Sequence, residues 1–142
     1  MVSYESTVSI ARPPEAVFPY LVEPALQAQW SDVPMRKLTA GPLVTGSRLE
    51  VTFGMGPVKA TIGLELTAVE AGRQMAWRSF SGPIRWEGEY RLTPSGDGTE
   101  LSQEGRLQFT GLWRLIEPLV GAEIRSGEVK ELEKIKALVE AA

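Results

Sequence analysis

The sequence predicts an α+β fold: a curved antiparallel sheet of about seven strands, one long C-terminal helix, and two short helices between the first two strands. Three observations carry this. Residues 35–109 divide into short runs of alternating apolar and polar residues, separated by Gly/Pro turns. After "TG", residues 110–111, the apolar period changes to that of a helix. The opening "VSYESTVSI", residues 2–10, is rich in Val, Thr, Tyr and Ile and reads as a strand set apart from the others.

"ARPPEAVFPYLVEP" follows the first strand. Pro14 opens a helix with Ala16, Val17, Tyr20 and Leu21 as its apolar stripe; Pro19 keeps it short, and Pro24 starts a new turn. "PALQAQW" supplies the second short helix, ending near Trp30. The pair has a helix-turn-helix outline, but nothing basic surrounds it, which argues against DNA binding.

The meander consists of "MRKLT", "SRLEVTF", "VKATIGLELTAVE", "RQMAWRSF", "IRWEGEYRLT" and "TELSQEGRLQF". Alternation turns Leu49, Val51 and Phe53 inward, then Val58, Ala60, Ile62, Leu64 and Leu66, then Met75, Trp77 and Ser79. From Leu112 onward, Leu115, Ile116, Leu119, Val120, Ile124, Leu132, Ile135 and Val139 recur at helical spacing, with a kink expected at Pro118. The charges of "EIRSGEVKELEKIK" fill the other side. Arg125/Glu128, Glu131/Lys134 and Glu133/Lys136 fall at helix-neighbour spacing and read as a solvated face.

A chain of 142 residues without an internal repeat or linker suits one domain, residues 1–142. With no Cys and no His, it is expected to use no thiolate, imidazole or Cys/His metal chemistry, and no Asp/Glu cluster has the spacing of a metal site. No metal or cofactor is expected. The net charge of −3 argues against nucleic acid, and no apolar run is long enough for stable membrane insertion. The N-terminal stretch lacks a signal-peptide pattern, so a cytoplasmic location is expected. Oligomeric state is not readable from the sequence.

The last hairpin raises the functional question. Pairing Leu92 with Leu101 places Tyr90 opposite Gln103, Gly88 opposite Gly105 and Trp86 opposite Leu107, all on the inward face. Glycines in strand centres mark a bend or a close approach, and an inward Gln needs a partner. Two readings follow: the glycines let the sheet curve around the helix, or they border a ligand cavity with Tyr90 and Gln103 as its polar groups.

The phrase "SGPIRWEGEYRLTPSGDGTELSQEGRLQFTGLWRLIEPLVG", residues 81–121, and the opening "VSIARPPEAVFPYLVEPALQAQW", residues 8–30, resemble the START-like helix-grip superfamily, in its polyketide cyclase/dehydrase and lipid-transport-like branch. The resemblance implies a helix-grip fold with a hydrophobic cavity between sheet and C-terminal helix. It implies as lining Trp30, Phe53, Ile62, Trp77, Trp86, Tyr90, Gln103, Leu115, Ile116 and Leu119, with "GMGP" (54–57) and "SGPI" (81–84) as mouth loops.

Enzymatic cyclisation needs groups that transfer protons or stabilise an enolate. No Asp, Glu or Lys falls on the inward strand positions, leaving Arg36 and Tyr90 as catalytic candidates, with Asp32 and Glu123 behind them. The expected function is therefore binding or carriage of a hydrophobic, aromatic or lipid-like small molecule. The alternatives are a cyclase- or dehydratase-like enzyme and, third, a protein-interaction domain using Trp113 and the solvated helix face.

Overall fold

The computed structural model describes residues 1–55 and 58–142. Strand β1 (Val2–Ile10) is followed by three single-turn helices, α1 (Pro14–Val17), α2 (Pro19–Val22) and α3 (Pro24–Gln27). Each opens on a proline, whose fixed φ suits a first helical position and whose missing N–H costs nothing there. Pro19 thus splits the first expected helix into two turns.

Strands β2 (Met35–Lys37), β3 (Arg48–Met55), β4 (Val58–Glu70), β5 (Gln74–Ser81), β6 (Ile84–Ser95) and β7 (Gly98–Phe109) then form a meander. With β1 they make one seven-stranded sheet in the order β1-β7-β6-β5-β4-β3-β2, every pair antiparallel. Register shifts at Gly63/Leu64 and Leu66/Ala68 interrupt the β4–β5 ladder, and such bulges bend a strand and raise its twist. The curved sheet and helix of the helix-grip architecture are both present.

The last hairpin has the expected register: Leu92 pairs with Leu101, Tyr90 with Gln103, Gly88 with Gly105 and Trp86 with Leu107. Along β7 the odd positions Thr99, Leu101, Gln103, Gly105, Leu107 and Phe109 are buried, while Glu100, Glu104, Arg106 and Gln108 are exposed.

A 3₁₀ turn over Gly111–Leu115 precedes α4 (Glu117–Ala141). Pro118 lies in the first turn of α4, so it starts the helix and does not kink it. The expected apolar stripe divides over two helix faces: at about 100° per residue Leu119 falls on the side away from Leu132, Ile135 and Val139. Leu115 and Leu119 are 74% and 75% exposed, whereas Val120, Leu132, Ile135 and Val139 are buried and Ile116 and Ile124 half-buried. Polar bonds fasten α4 along β1: Arg125 Nε donates to the Ser3 carbonyl at 3.0 Å, and the Ala11 amide donates to Glu140 Oε2 at 2.8 Å. No helix among the described residues is long and apolar enough to cross a membrane.

Candidate functional site

Between sheet and α4 lies a cavity of about 60 Å³. Its sheet wall is aromatic, with Trp77 from β5 and Trp86 and Tyr90 from β6, completed by Trp30 just after α3. The rings interlock: Trp77 stands 5.3 Å from Trp86 and 5.2 Å from Tyr90, and Tyr90 meets Trp30 edge-on at 6.2 Å. Each such pair contributes about 0.5–1.5 kcal/mol beyond simple burial, so this wall is rigid. Gln27, Ser31, Val33 and Met35 are the half-buried lining residues opposite the helix, and they mark the solvent side of the cavity. Larger, open grooves lie on the outer face of the sheet among charged side chains such as Arg106 and Glu87, which pair with each other.

The glycine pair is covered by two of the aromatic rings. A Cβ on Gly105 would fall 2.3 Å from Tyr4 Cζ, and one on Gly88 would fall 2.7 Å from Trp77 Cζ2. Both positions therefore exclude any side chain, because a ring lies on the backbone there. Tyr4 in turn accepts a 3.0 Å bond from Trp86 Nε1. The glycines hold up the aromatic wall; they are not open space.

Gln103 is 2% exposed and joins the sheet to the helix: its Nε2 donates to the Glu128 carbonyl at 2.9 Å and to Ser6 Oγ at 3.2 Å. Its Oε1 has no partner among the described residues. The Trp30 indole N–H donates to the Tyr20 carbonyl at 2.8 Å, but that of Trp77, 5% exposed, also has none. Buried polar atoms are nearly always paired, so these two are exceptions, one on the cavity wall and one beside it.

The helix wall carries what the strand reading did not contain. Glu128 and Glu131, half-buried, line the cavity, and neither joins an ion pair among the described residues. Burial pushes the Glu128 carboxyl up to about 7, with the Gln103 and Glu131 side chains opposing. Burial, the Glu128 charge and Asp32 together push Glu131 up to about 8, with Lys134 opposing. Two neighbouring carboxyls so placed titrate as a unit and hold a proton between them near neutral pH. Burial likewise raises the Tyr4 and Tyr90 phenols well above their usual range.

The expected ion pairs of the solvated face are replaced by other contacts. Arg125 turns to β1, and Lys134 Nζ meets Asp32 Oδ2 at 3.3 Å across the cavity's solvent side. A signal for the inward carboxylates was present: Glu128 lies four residues after Ile124 and four before Leu132, on the same helical stripe. Their charge and their apparent partners concealed it.

Of the expected lining residues, Trp30, Trp77, Trp86 and Tyr90 reach the cavity. Phe53 stands behind it, 5.3 Å from Trp86, and Ile62 is sealed in the core. Gln103 lies beside it through the Glu128 carbonyl, and Ile116 packs on the core near the start of α4. Leu119 is on the surface for the phase reason above, and Leu115 is on the surface in the 3₁₀ turn. Arg36 points outward: Met35 takes the inward position of β2, and the Arg36 Nε donates to Glu50 Oε1 at 3.0 Å. It does not meet Tyr90. Glu123 is exposed, and of the mouth loop 54–57, Gly56 and Pro57 lie outside the described residues.

A family model described as polyketide cyclase / dehydrase and lipid transport matches residues 1–140. The chain belongs to that family. Its helix-grip fold recurs in solved structures. The chain is similar to TTHA0849 from Thermus thermophilus, at 18% identity and TM-score 0.79, over 98% of this chain and 97% of that one. It is also similar to DR_A0006 from Deinococcus radiodurans (21% identity, TM-score 0.74, 99% and 98% covered). A third similar structure is Ara h 8.0201 (11% identity, TM-score 0.72, 99% and 98% covered). Among curated proteins, none matches the sequence. For a polyketide cyclase/dehydrase and lipid transport family member, a cavity walled by four aromatic residues and two helix carboxyls is the feature to explain.

Proposed function

We propose that this family member binds a hydrophobic small molecule between the aromatic wall and α4. The observation that carries the reading is the pairing of that wall with buried, unpartnered polar atoms on Trp77 and Gln103. A volume of about 60 Å³ holds a small polar head group or a few waters, well short of the roughly 150 Å³ that takes up benzene. A larger ligand therefore enters by parting the segment Ser31–Pro34 from α4, where among the described residues the exposed Asp32–Lys134 ion pair bridges the gap.

Native mass spectrometry of the freshly purified protein, followed by denaturation and identification of released compounds, tests the reading. A reproducible adduct that leaves unchanged is expected. Absence of an adduct, together with no tryptophan fluorescence response to 1-naphthol, to decanoate or to 2-phenylethylamine, would reject it.

A second reading, proton transfer on a ketone ligand as in a cyclase or dehydratase, is favoured by one observation: two coupled carboxyls whose proton affinity lies near neutrality face the cavity. Its acid–base groups are Glu128 and Glu131; Arg36 is held outside by Glu50. If a poly-ketone substrate is turned over and Glu131→Gln lowers kcat less than about tenfold, that reading is wrong.

A further inference from the structure

The charges around the cavity are one-sided. Among the described residues that line it, the ionisable side chains are Glu128, Glu131 and Tyr90, and no Lys or Arg is among them. Lys134, the cation nearest the rim, is occupied by Asp32 at 3.3 Å, and Arg125 is turned to the Ser3 carbonyl. The opposite wall is electron-rich aromatic surface. Carboxyls on one side and aromatic rings on the other select for positive charge with N–H donors, and the unpartnered Trp77 indole N–H on the ring wall is left for an acceptor on the rest of the ligand.

We propose that the ligand is an organic cation, a primary or secondary ammonium on an apolar group, held between Glu128 and Glu131 on one side and the rings of Trp30, Trp77, Trp86 and Tyr90 on the other. This rests on the binding reading above and narrows it. An ammonium head of a few atoms fits the existing space, and its apolar group passes the half-buried Gln27, Ser31 and Val33. A fatty acid or other anion would bring one more negative charge to a site that already holds two carboxyls and no facing cation.

The arrangement couples binding to protons. An ammonium favours the ionised carboxylates, so it binds more tightly as pH rises through the range of about 7 to about 8 where the pair titrates, and it displaces the shared proton. Around the pair are Tyr4 from β1, Tyr90 from β6, Gln103 from β7, Asp32 from the segment after α3 and Lys134 on α4 itself. The two phenols stay neutral across this range because burial raises them.

Isothermal titration calorimetry with 2-phenylethylammonium, its neutral isostere 2-phenylethanol and the anion 3-phenylpropionate tests the proposal, at about pH 6 and about pH 8.5. The ammonium is expected to bind at least about tenfold tighter than the alcohol at the higher pH, with that margin shrinking at the lower. Titration near pH 7.5 in two buffers of different ionisation enthalpy is expected to show proton release with the ammonium and none with the alcohol. In the Glu128→Gln/Glu131→Gln variant the ammonium and alcohol are expected to bind about equally. Alcohol or propionate binding as tightly as the ammonium in the unaltered protein overturns the cation assignment while leaving the binding reading intact. So does a margin that survives in the double variant. Failure of all three probes to bind rejects both.

Discussion

The two walls of the cavity are built on opposite principles. On the sheet wall, glycine backbone lies directly under the Tyr4 and Trp77 rings, with no room for even a methyl group. On the helix wall, two carboxyls occupy the stretch that separates buried Val120 from buried Leu132. The first wall is optimised for packing, and the second forgoes packing.

Four perturbations break or sharpen this contrast. The largest effect is expected within α4 itself, between its packed end and its exposed start. Leu132→Ala deletes a side chain only 2% exposed and is expected to cost about 2–5 kcal/mol, whereas Leu119→Ala, 75% exposed, is expected to stay within about 0.5 kcal/mol. Chemical denaturation of the two variants side by side checks this; similar midpoints would place the stripe in the wrong phase.

Next comes the glycine wall. Gly105→Ala puts a methyl within 2.3 Å of the Tyr4 ring and is expected to destabilise by about 1–3 kcal/mol through displacement of that ring and loss of the Trp86 bond. In a Tyr4→Ala background the same change is expected to cost far less, a coupling that a double-mutant cycle reads directly. Additive costs would mean that the ring does not exclude the methyl.

The helix wall is expected to respond to pH. The Glu128 and Glu131 proton affinities are raised on folding, so the folded state holds more protons than the unfolded state between about pH 4.5 and about pH 8. Stability due to this pair is therefore fully present below the unfolded value and is lost as pH rises through the folded values. Thermal melts from pH 5 to pH 9 measure it. The Glu128→Gln/Glu131→Gln variant is expected to flatten the curve and to exceed the unaltered protein in stability at the alkaline end. An unchanged slope would place the carboxyls in solvent.

The smallest effect belongs to Arg36, whose exposed pair with Glu50 lies off both walls. Arg36→Ala is expected to change stability by less than about 1 kcal/mol and to leave the affinity for any cavity ligand as it was. A loss of ligand affinity in this variant would put Arg36 back among the site residues.

The legibility of these regions follows from their periods. In a strand the side-chain period is two and each hairpin pins the next, so the faces of β7 and its register with β6 were readable down to the Gly88–Gly105 pair. What lies on those glycines was not readable, because Tyr4 arrives from the far end of the chain and Trp77 from a neighbouring strand. In the helix the period is fractional, so apolar residues spaced at i, i+4 drift around the axis, and along α4 Leu119 falls on the side away from Leu132 and Ile135. Leu115 lies in the 3₁₀ turn before it and is likewise outside. Glu128 and Glu131 were missed for a different reason: charge at i, i+3 spacing to cations reads as an exposed ladder unless the cations are known to be engaged elsewhere.

Sequence alone thus settled what depends on neighbours along the chain. The proline-started turns, the alternating faces and the strand order implied by successive hairpins all arise from local sterics and short-range pairing. Only tertiary structure decided what depends on desolvation: which aromatic rings lie on bare backbone, which cation leaves which carboxylate, and where two acidic side chains face a cavity with no ion-pair partner among the described residues. Burial and long-range electrostatics are sums over every element packed around a point, and no single stretch of sequence contains that sum.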